Sequence, residues 1–297
     1  MIPIKTDDPA SPPSVGQVVP GAPKTSSFPI VGIGASAGGL EAFTQLLKAL
    51  PPDPGIALVL VQHLAPLHPS SLAEILSRAT AMPVTEVQGE TAVKPDHVYV
   101  IPPGRGMVIT KGALHLLLRE EGALHRPIDQ FLRSLSIDQA QRAIGVVLSG
   151  SASDGTLGLE AIKSEGGVTF AQDSSAQHGG MPQNAIESGC VDFVLSPEAM
   201  ALELVRLGGG SLVEYGVEKP TPRTTVDLLP VLRVLQATHR VDFSHYRFNT
   251  LYRRIARRML LRKIEDLSSY VSFLRTTPAE VEGLFQDILI NVTSFFR

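Results

Sequence analysis

Continuous apolar runs recur along the first two thirds of the chain and alternate with segments whose apolar residues return every three or four positions. Such runs, without polar alternation, are typical of strands buried on both faces of a parallel sheet. The segments between them have the period of amphipathic helices, which would cover the sheet. The pattern predicts an α/β fold, a doubly wound and mainly parallel sheet with helices on both faces. The runs are FPIVGIGAS (28–36), IALVLVQH (56–63), AIGVVLSG (143–150), GVTFAQD (167–173) and CVDFVLS (190–196).

Changes in composition divide the chain into four parts. Residues 1–27 contain six prolines and no apolar period, which predicts a disordered leader before an α/β domain over 28–206. The Gly- and Pro-rich stretch 207–226 predicts a linker, and the helical periods beyond it predict a small all-α domain over 227–297. Residues 221–297 hold 12 Lys and Arg against 7 Asp and Glu, although the whole chain carries a net charge of −3. The two domains are therefore expected to meet different partners.

Composition excludes several classes of protein. With 43% hydrophobic residues the chain can bury a sizeable core, and the single cysteine, Cys190, excludes an internal disulfide framework. No apolar run is long enough to span a bilayer, and the first residues lack the pattern of a secretory signal. The net charge disfavours a general nucleic-acid binder. We expect a cytoplasmic protein that contacts membranes only through its partners.

The string GIGASAGG (32–39) lies between a predicted strand and a predicted helix and fits two templates. It matches the dinucleotide-binding fingerprint and also the Gly-x-Ser-x-Gly elbow that presents a nucleophilic serine. The next strand ends in Gln62 and His63 without the carboxylate that would hold a ribose, which weakens the reading as a dinucleotide-dependent oxidoreductase. Ser36 is then either a nucleophile or simply the cap of the following helix.

Two further polar residues follow predicted strands at the same edge of the sheet. His63 ends the second strand, and Asp154 lies in a small-residue loop that leads into a helix, where it could also be a cap. A neutral imidazole can accept a serine proton, and a carboxylate can orient that imidazole. His68 could suggest a metal pair, but no third ligand has recognisable spacing, so no metal is expected.

At these residues the chain resembles the catalytic domain of chemotaxis protein-glutamate methylesterases of the CheB type. The resemblance covers about residues 28–206 and implies hydrolysis of glutamate 5-methyl esters, with deamidation of certain glutamines, on chemoreceptor signalling helices. It identifies Ser36 as the nucleophile, His63 as the base and Asp154 as the orienting acid, with no cofactor. The matching strings are VGIGASAGGLEA, VLVQHLAP, PDHVYVIPPGRGM, HRPIDQFLRSL, VVLSGSASDGTLGL and AQDSSAQHGGMPQNAIESGCVDFVL.

The reaction also needs donors for the negative oxygen of its intermediate. The backbone N–H groups of Ala37 and Gly38, at the start of the helix after the serine, are the candidates. The chain departs from the family where Ser151 replaces a methionine before the acid, which puts the role of that methionine in doubt.

A basic segment marks the C-terminal part. Seven Lys and Arg and no Asp or Glu lie between Arg247 and Lys263, while Leu251, Ile255 and Met259 form an apolar stripe expected to pack on neighbouring helices. Arginines of this kind usually form a solvated face, yet their mutual repulsion favours an anionic partner. The segment lacks the aromatic platform of nucleic-acid binders.

The strings FSHYRFNTLYRRIARRM, LLRKIEDLSSYVSFL and ILINVTSFFR resemble the N-terminal helical domain of CheR-type chemotaxis methyltransferases. That resemblance implies that acidic receptor helices meet Arg253, Arg254, Arg257 and Arg258. It also implies S-adenosylmethionine contacts from Asn291, Thr293 and Arg297 in a full-length methyltransferase. The match stops at residue 297, so the sequence predicts part of an esterase–methyltransferase fusion and no methyl transfer by this chain alone. The alternative is a non-catalytic scaffold that docks receptor or signalling partners.

Overall fold

The fold is described by a computed structural model over residues 28–63, 71–118, 126–211, 228–243 and 246–293. The predicted leader and most of the predicted linker lie outside these ranges. The strands are β1 (Ile30–Ala35), β2 (Ala57–Gln62), β3 (Val84–Glu86), β4 (Thr91–Ala92), β5 (His97–Val100), β6 (Arg105–Thr110), β7 (Ala113–Leu118), β8 (Ala143–Val147), β9 (Val168–Gln172) and β10 (Phe193–Leu195). The helices are α1 (Gly39–Ala49), α2 (Leu72–Ser77), α3 (Pro127–Gln139), α4 (Thr156–Ser164), α5 (Gly180–Glu187), α6 (Pro197–Arg206), α7 (Leu229–His239), α8 (Phe248–Arg262), α9 (Leu267–Thr276) and α10 (Pro278–Thr293).

The main sheet has seven strands in the order β10-β9-β8-β1-β2-β5-β3. Every neighbouring pair in it is parallel. A smaller antiparallel sheet has the order β4-β7-β6. The predicted doubly wound, mainly parallel sheet is therefore confirmed.

Strand residues bury alternate side chains in two cores, one on each face of the sheet. Ile33 and Leu60 belong to the core beneath α1 and α6, whereas Val59 and Val147 belong to the core beneath α3, α4 and α5. Both faces of each central strand are thus covered, which explains why the runs show no polar alternation. Strands β2, β5 and β3 lie on one side of β1, and strands β8, β9 and β10 lie on the other. The order of the sheet therefore reverses between β1 and β8, where α/β proteins form sites at the carboxyl ends of strands.

Helices α7 to α10 form a separate region with a core of their own. Leu251, Ile255 and Met259 lie in that core, which confirms the predicted apolar stripe of α8. Among the helices that the structure describes, none combines the length and apolar character required to cross a bilayer.

Candidate active site

The reversal point between β1 and β8 brings the loop that begins at Ser36 beside the loop that begins at Leu148. Gly34 accepts a hydrogen bond from the N–H of Leu148 (2.9 Å), and the N–H of Ser36 donates to the carbonyl of Ser149 (3.0 Å). These two bonds extend the hydrogen-bond ladder between β1 and β8 beyond the ends of both strands. Ser36 is therefore fixed at the carboxyl edge of the sheet, half-buried and next to the loop that carries Asp154.

The structure overturns the simple capping role considered for Ser36. Helix α1 begins at Gly39 and its N-cap is Gly38, whose φ of 73° lies in the left-handed region that glycine tolerates. Within the described residues, no side-chain hydrogen bond caps the start of this helix. Among the described residues, no acceptor binds the N–H groups of Ala37 and Gly38, so both donors remain available at the start of the helix.

His63 and Asp154 come together at the same edge. The Nε2 of His63 lies 2.9 Å from the Oδ2 of Asp154, with 31% of the histidine side chain exposed and only 5% of the aspartate. The imidazole is thus held by a buried carboxylate while its other face remains open to solvent. Within the described residues, no hydrogen bond joins the Ser36 hydroxyl to His63. Such bonds are often long in free enzymes and shorten when substrate binds.

Asp154 is a cap, but not of the helix that follows it. Its Oδ2 accepts the N–H of Ile128 (3.1 Å) and its Oδ1 accepts the N–H of Asp129 (2.9 Å), so it caps α3. The N-cap of α4 is instead Gly155. Two N–H donors at the start of α3 therefore fix the position of the carboxylate that faces His63.

Sequence reasoning missed Asp129, which performs the reciprocal task. Its Oδ1 accepts the N–H groups of Gly155 (2.9 Å) and Gly158 (2.8 Å) at the start of α4. Burial raises the pKa of Asp129, and the neighbouring charge of Asp154 raises it further, although the two N–H donors and Arg126 oppose the shift. An acidic residue in the first turn of a helix is ordinary, so the pattern around it carried no distinct signal.

Ser149 was also missed, although it ties the nucleophile loop to the opposite loop. Its hydroxyl donates to the carbonyl of Ala37 (2.8 Å) and accepts the N–H of His178 (2.9 Å). Its own N–H donates to the side-chain oxygen of Gln172 (2.9 Å). Ser149 is completely buried. By contrast Ser151, at the position of the family's methionine, is exposed.

The remaining predicted residues lie elsewhere. Arg253 is exposed on α8, whereas Arg254 and Arg257 are buried against the α/β region and Arg258 binds Glu280. The side chains of the predicted S-adenosylmethionine contacts, and His68, lie outside the described residues. In the described ranges, no group of three or more His, Cys, Asp or Glu side chains could hold a metal ion. The predicted S-adenosylmethionine contacts whose side chains lie outside the described residues are Asn291, Thr293 and Arg297.

Two family models match the chain. The model for CheB methylesterase matches residues 31–204, and the model for the all-alpha domain of CheR methyltransferase matches residues 227–289. The two matches coincide with the α/β region and with the helical region. The resemblances seen in the sequence are therefore confirmed.

Three relatives are similar to large parts of the chain. A 104.1 kDa protein of Rhodobacter capsulatus is 35% identical over 76% of this chain and 26% of its own length. A protein-glutamate methylesterase/protein-glutamine glutaminase of Anaeromyxobacter dehalogenans is 37% identical over 67% of this chain and 57% of its own length. A putative enzyme of the same name from Leptospira interrogans is 34% identical over 63% of this chain and 98% of its own length. The chain thus spans a quarter to just over half of the first two relatives.

A solved structure carries the same fold. The CheB methylesterase catalytic domain of Thermotoga maritima is 31% identical, with a TM-score of 0.57, and the match covers 61% of this chain and 100% of that domain. The family model alone matches more than half of the residues. The chain belongs to the CheB methylesterase family.

Proposed function

We propose that this chain hydrolyses the methyl esters of glutamate side chains on chemoreceptor helices, with Ser36 as nucleophile, His63 as base and Asp154 as orienting acid. The observation that carries the proposal is the 2.9 Å contact between His63 and the buried Asp154, at the edge where the Ser36 loop begins. Relatives named for methylesterase and glutaminase activity support it.

In the proposed mechanism the two ring nitrogens of His63 have different partners. Because Nε2 of His63 faces Asp154, Nδ1 is the atom that accepts the Ser36 proton as the hydroxyl attacks the ester carbonyl. The carboxylate holds the ring in that tautomer and stabilises the imidazolium once it forms. Holding two groups in reacting geometry removes most of the entropic cost of the encounter.

The tetrahedral intermediate carries its negative charge on the former carbonyl oxygen. The N–H groups of Ala37 and Gly38 would bind that oxygen at the positive end of α1. The imidazolium then gives its proton to methanol as the ester C–O bond breaks, leaving an acyl-enzyme. Water attacks the acyl-enzyme by the same route, releasing glutamate and restoring Ser36. With a glutamine substrate, ammonia leaves in place of methanol.

The reaction proposed here uses only these groups and water. In the methyltransferase-type region, Asn291, Thr293 and Arg297 remain proposed contacts for S-adenosylmethionine. Arg253 is the exposed member of the four arginines proposed to meet receptor helices.

The experiment compares Ser36→Ala with Ser77→Ala on receptor helices that carry labelled methyl groups. Ser77 is a fair control because it is exposed and its hydroxyl bonds the Ala73 carbonyl of its own helix. We expect Ser36→Ala to lower methanol release by about 10⁴-fold or more, and Ser77→Ala to leave it unchanged. A fluorophosphonate probe should label the parent protein and the control but not Ser36→Ala. Parental methanol release from Ser36→Ala would refute the assignment, and a chain with no turnover and no labelling would be the scaffold alternative.

A further inference from the structure

The segment 247–263, which contains α8, holds seven positive side chains and no acidic one, and these charges repel each other. A solvated face would leave them in water. Arg254 and Arg257 are instead 3% and 4% exposed. Arginine is almost never this deeply buried unless it is paired, so each must have found partners inside the folded chain.

Arg254 binds the end of a helix in the α/β region. Its Nη1 donates to the carbonyl of Lys163 (2.7 Å) and its Nη2 donates to the carbonyl of Ser164, both in the last turn of α4. The last carbonyls of a helix have no partner within that helix and form its negative end. The two Nη atoms of the planar guanidinium are held in a fixed fork, so they bind two successive carbonyls with little loss of side-chain freedom.

Arg257 joins three separate segments. Its Nε donates to the carbonyl of Gly167 (2.9 Å), and its Nη2 donates to Asp192, both in the α/β region. Its Nη1 donates to Oδ2 of Asp287 (2.8 Å) on α10 of the helical region. One buried guanidinium therefore bridges the two regions.

The carboxylate of Asp192 is built to receive this arginine. It accepts the N–H of Thr169 (3.0 Å) and the Thr169 hydroxyl (2.9 Å), and its other oxygen lies 3.5 Å from Nζ of Lys163. Burial opposes its ionisation, but the charges of Arg257 and Lys163 outweigh burial and lower the pKa of Asp192. The group is therefore anionic and fixed on the α/β side by contacts that do not involve the helical region.

Other side chains of the segment 247–263 are also buried or paired within the chain. Leu260 is 4% exposed and lies in the hydrophobic core of the α/β region, and Lys263 donates to Oε1 of Glu203 (2.6 Å) at the rim. Arg258 and Arg262 both bind Glu280 within the helical region. Five of the seven cationic side chains of this segment thus have partners in the described chain. The other two, Arg247 and Arg253, are exposed.

The contact between the helical region and the α/β region can be located relative to the candidate active site by the edge of the sheet at which it lies. Gly167 and Asp192 come directly before β9 and β10, so they lie at the amino edge of the parallel sheet. Ser36 and His63 follow the ends of β1 and β2 and lie at the carboxyl edge. The helical region is therefore attached opposite to the candidate active site.

We infer that α8 is a docking helix whose anionic partner is the α/β region of this same chain, through Arg254 on the end of α4 and Arg257 on Asp192. The arrangement holds the helical region at the amino edge of the sheet and leaves the carboxyl edge open to substrate. It also removes Arg254 and Arg257 from the surface, so in the docked chain an acidic partner can reach Arg253 but not these two.

Chemical modification of arginine tests this assignment in the full chain, with Arg253 as an internal reference on the same helix. Phenylglyoxal reacts with exposed guanidinium groups, and mass spectrometry reads each position separately. In the parent chain we expect Arg254 and Arg257 to react about tenfold or more slowly than Arg253, since reaction must await local opening. Equal rates at the three positions would overturn the inference.

A substitution on the α/β side shows whether docking causes the protection. Asp192→Asn removes the charge that binds Arg257 without altering the helical region, and Asp53→Asn removes an exposed carboxylate elsewhere. We expect the first variant to raise the modification of Arg254 and Arg257 severalfold, and the second to change neither. Circular dichroism verifies that both variants are folded. Protection that persists in folded Asp192→Asn would mean that the charge of Asp192 does not hold α8 against the α/β region, and would overturn the inference.

A second variant covers the case in which Asp192→Asn does not fold. Arg257→Lys keeps the charge, but its donors lie on a single nitrogen and cannot reach acceptors spread around a guanidinium, so modification of Arg254 should rise there as well. Unchanged protection of Arg254 in this variant would contradict the inference. None of these measurements uses ester hydrolysis, so their outcome is independent of the proposed activity.

Discussion

Asp129 and Asp154 cap each other's helices. Oδ1 of Asp154 accepts the N–H of Asp129 at the start of α3 (2.9 Å), and Oδ1 of Asp129 accepts the N–H of Gly155 before α4 (2.9 Å). The carboxylate that faces His63 is therefore part of the joint between two helices. Its orientation depends on the same contacts that hold α3 and α4 at the edge of the sheet.

A pair of substitutions at Asp154 separates its two roles. Both Asp154→Asn and Asp154→Ala should reduce ester turnover by about 10⁴-fold, because neither provides the anion that orients the base. Asp154→Ala should also lower the free energy of unfolding by about 1 kcal/mol more than Asp154→Asn, because alanine cannot cap α3 whereas asparagine retains an acceptor oxygen. Methanol release and urea unfolding measure the two effects. Parental turnover in Asp154→Asn would remove Asp154 from the proposed mechanism.

Asp129→Asn should change how stability depends on pH. Burial, and then the charge of Asp154, raise the pKa of Asp129 above its ordinary value of 3.8 in the folded protein. The folded chain then binds this proton more tightly than the unfolded chain does. The contribution of Asp129 to stability is therefore largest below pH 3.8 and is lost as the pH rises through the folded pKa. Asparagine does not titrate, so the stability of the variant relative to the parent should increase over that interval and level off above it.

Urea unfolding between roughly pH 3 and pH 7 covers the interval in which a shifted carboxyl titrates. Asp53→Asn, which changes an exposed carboxylate, is the control and should run parallel to the parent. If Asp129→Asn instead became less stable relative to the parent as the pH rises, the change would have the wrong sign. It would show that the folded state lowers the pKa of Asp129.

Local patterns predicted the sheet and the residues at its edge, but not the long-range partners of those residues. The apolar runs place Ser36 and His63 at strand ends, because a strand buried on both faces can be identified from its own continuous run of apolar residues. The sequence offered Asp154 as a cap of the helix that follows it, whereas the N–H of Ile128 that it binds lies 26 residues earlier in the chain. A propensity describes what a side chain can bind, whereas the fold decides which helix end lies within reach.

The sequence of the basic helix α8 likewise does not identify its long-range partner. Charge repulsion predicted an anionic partner for α8, and the structure supplies one for Arg257 in Asp192, 65 residues away. Nothing in the spacing of the arginines distinguishes a face that binds another protein from a face that binds the same chain. Only the packing of the two regions separates Arg253, which is exposed, from its neighbour Arg254, which is buried.

The close contact between β1 and α3 predicts that Gly34→Ala is destabilising. A Cβ at Gly34 would lie 2.3 Å from Cγ2 of Ile128, so the strand and the helix must separate. Overpacking of this kind costs about 1–3 kcal/mol. The movement should also lower turnover, because the N–H of Ile128 binds Asp154. Gly89→Ala is the matched control, since no atom lies within 4 Å of the added Cβ, and it should change stability little.

A double substitution identifies the cause. Ile128→Ala removes the atom that an alanine at position 34 would meet, although it opens a cavity of its own. The combined variant should therefore be less destabilised than the two single effects added together, as measured by urea unfolding. Strict additivity would mean that the clash is relieved elsewhere.

Ser149→Ala tests whether the loop opposite the nucleophile matters for turnover. The substitution removes the donor to the Ala37 carbonyl and the acceptor of the His178 N–H in a completely buried position, which should cost about 1–3 kcal/mol of stability. Because the Ala37 carbonyl follows the nucleophile directly, kcat should fall by about 10- to 100-fold while KM changes little. Ser136→Ala, which loses a buried hydroxyl bonded only to the Arg133 carbonyl, should lose comparable stability at full kcat. Equal kcat in the two variants would show that Ser149 stabilises the fold without positioning Ser36.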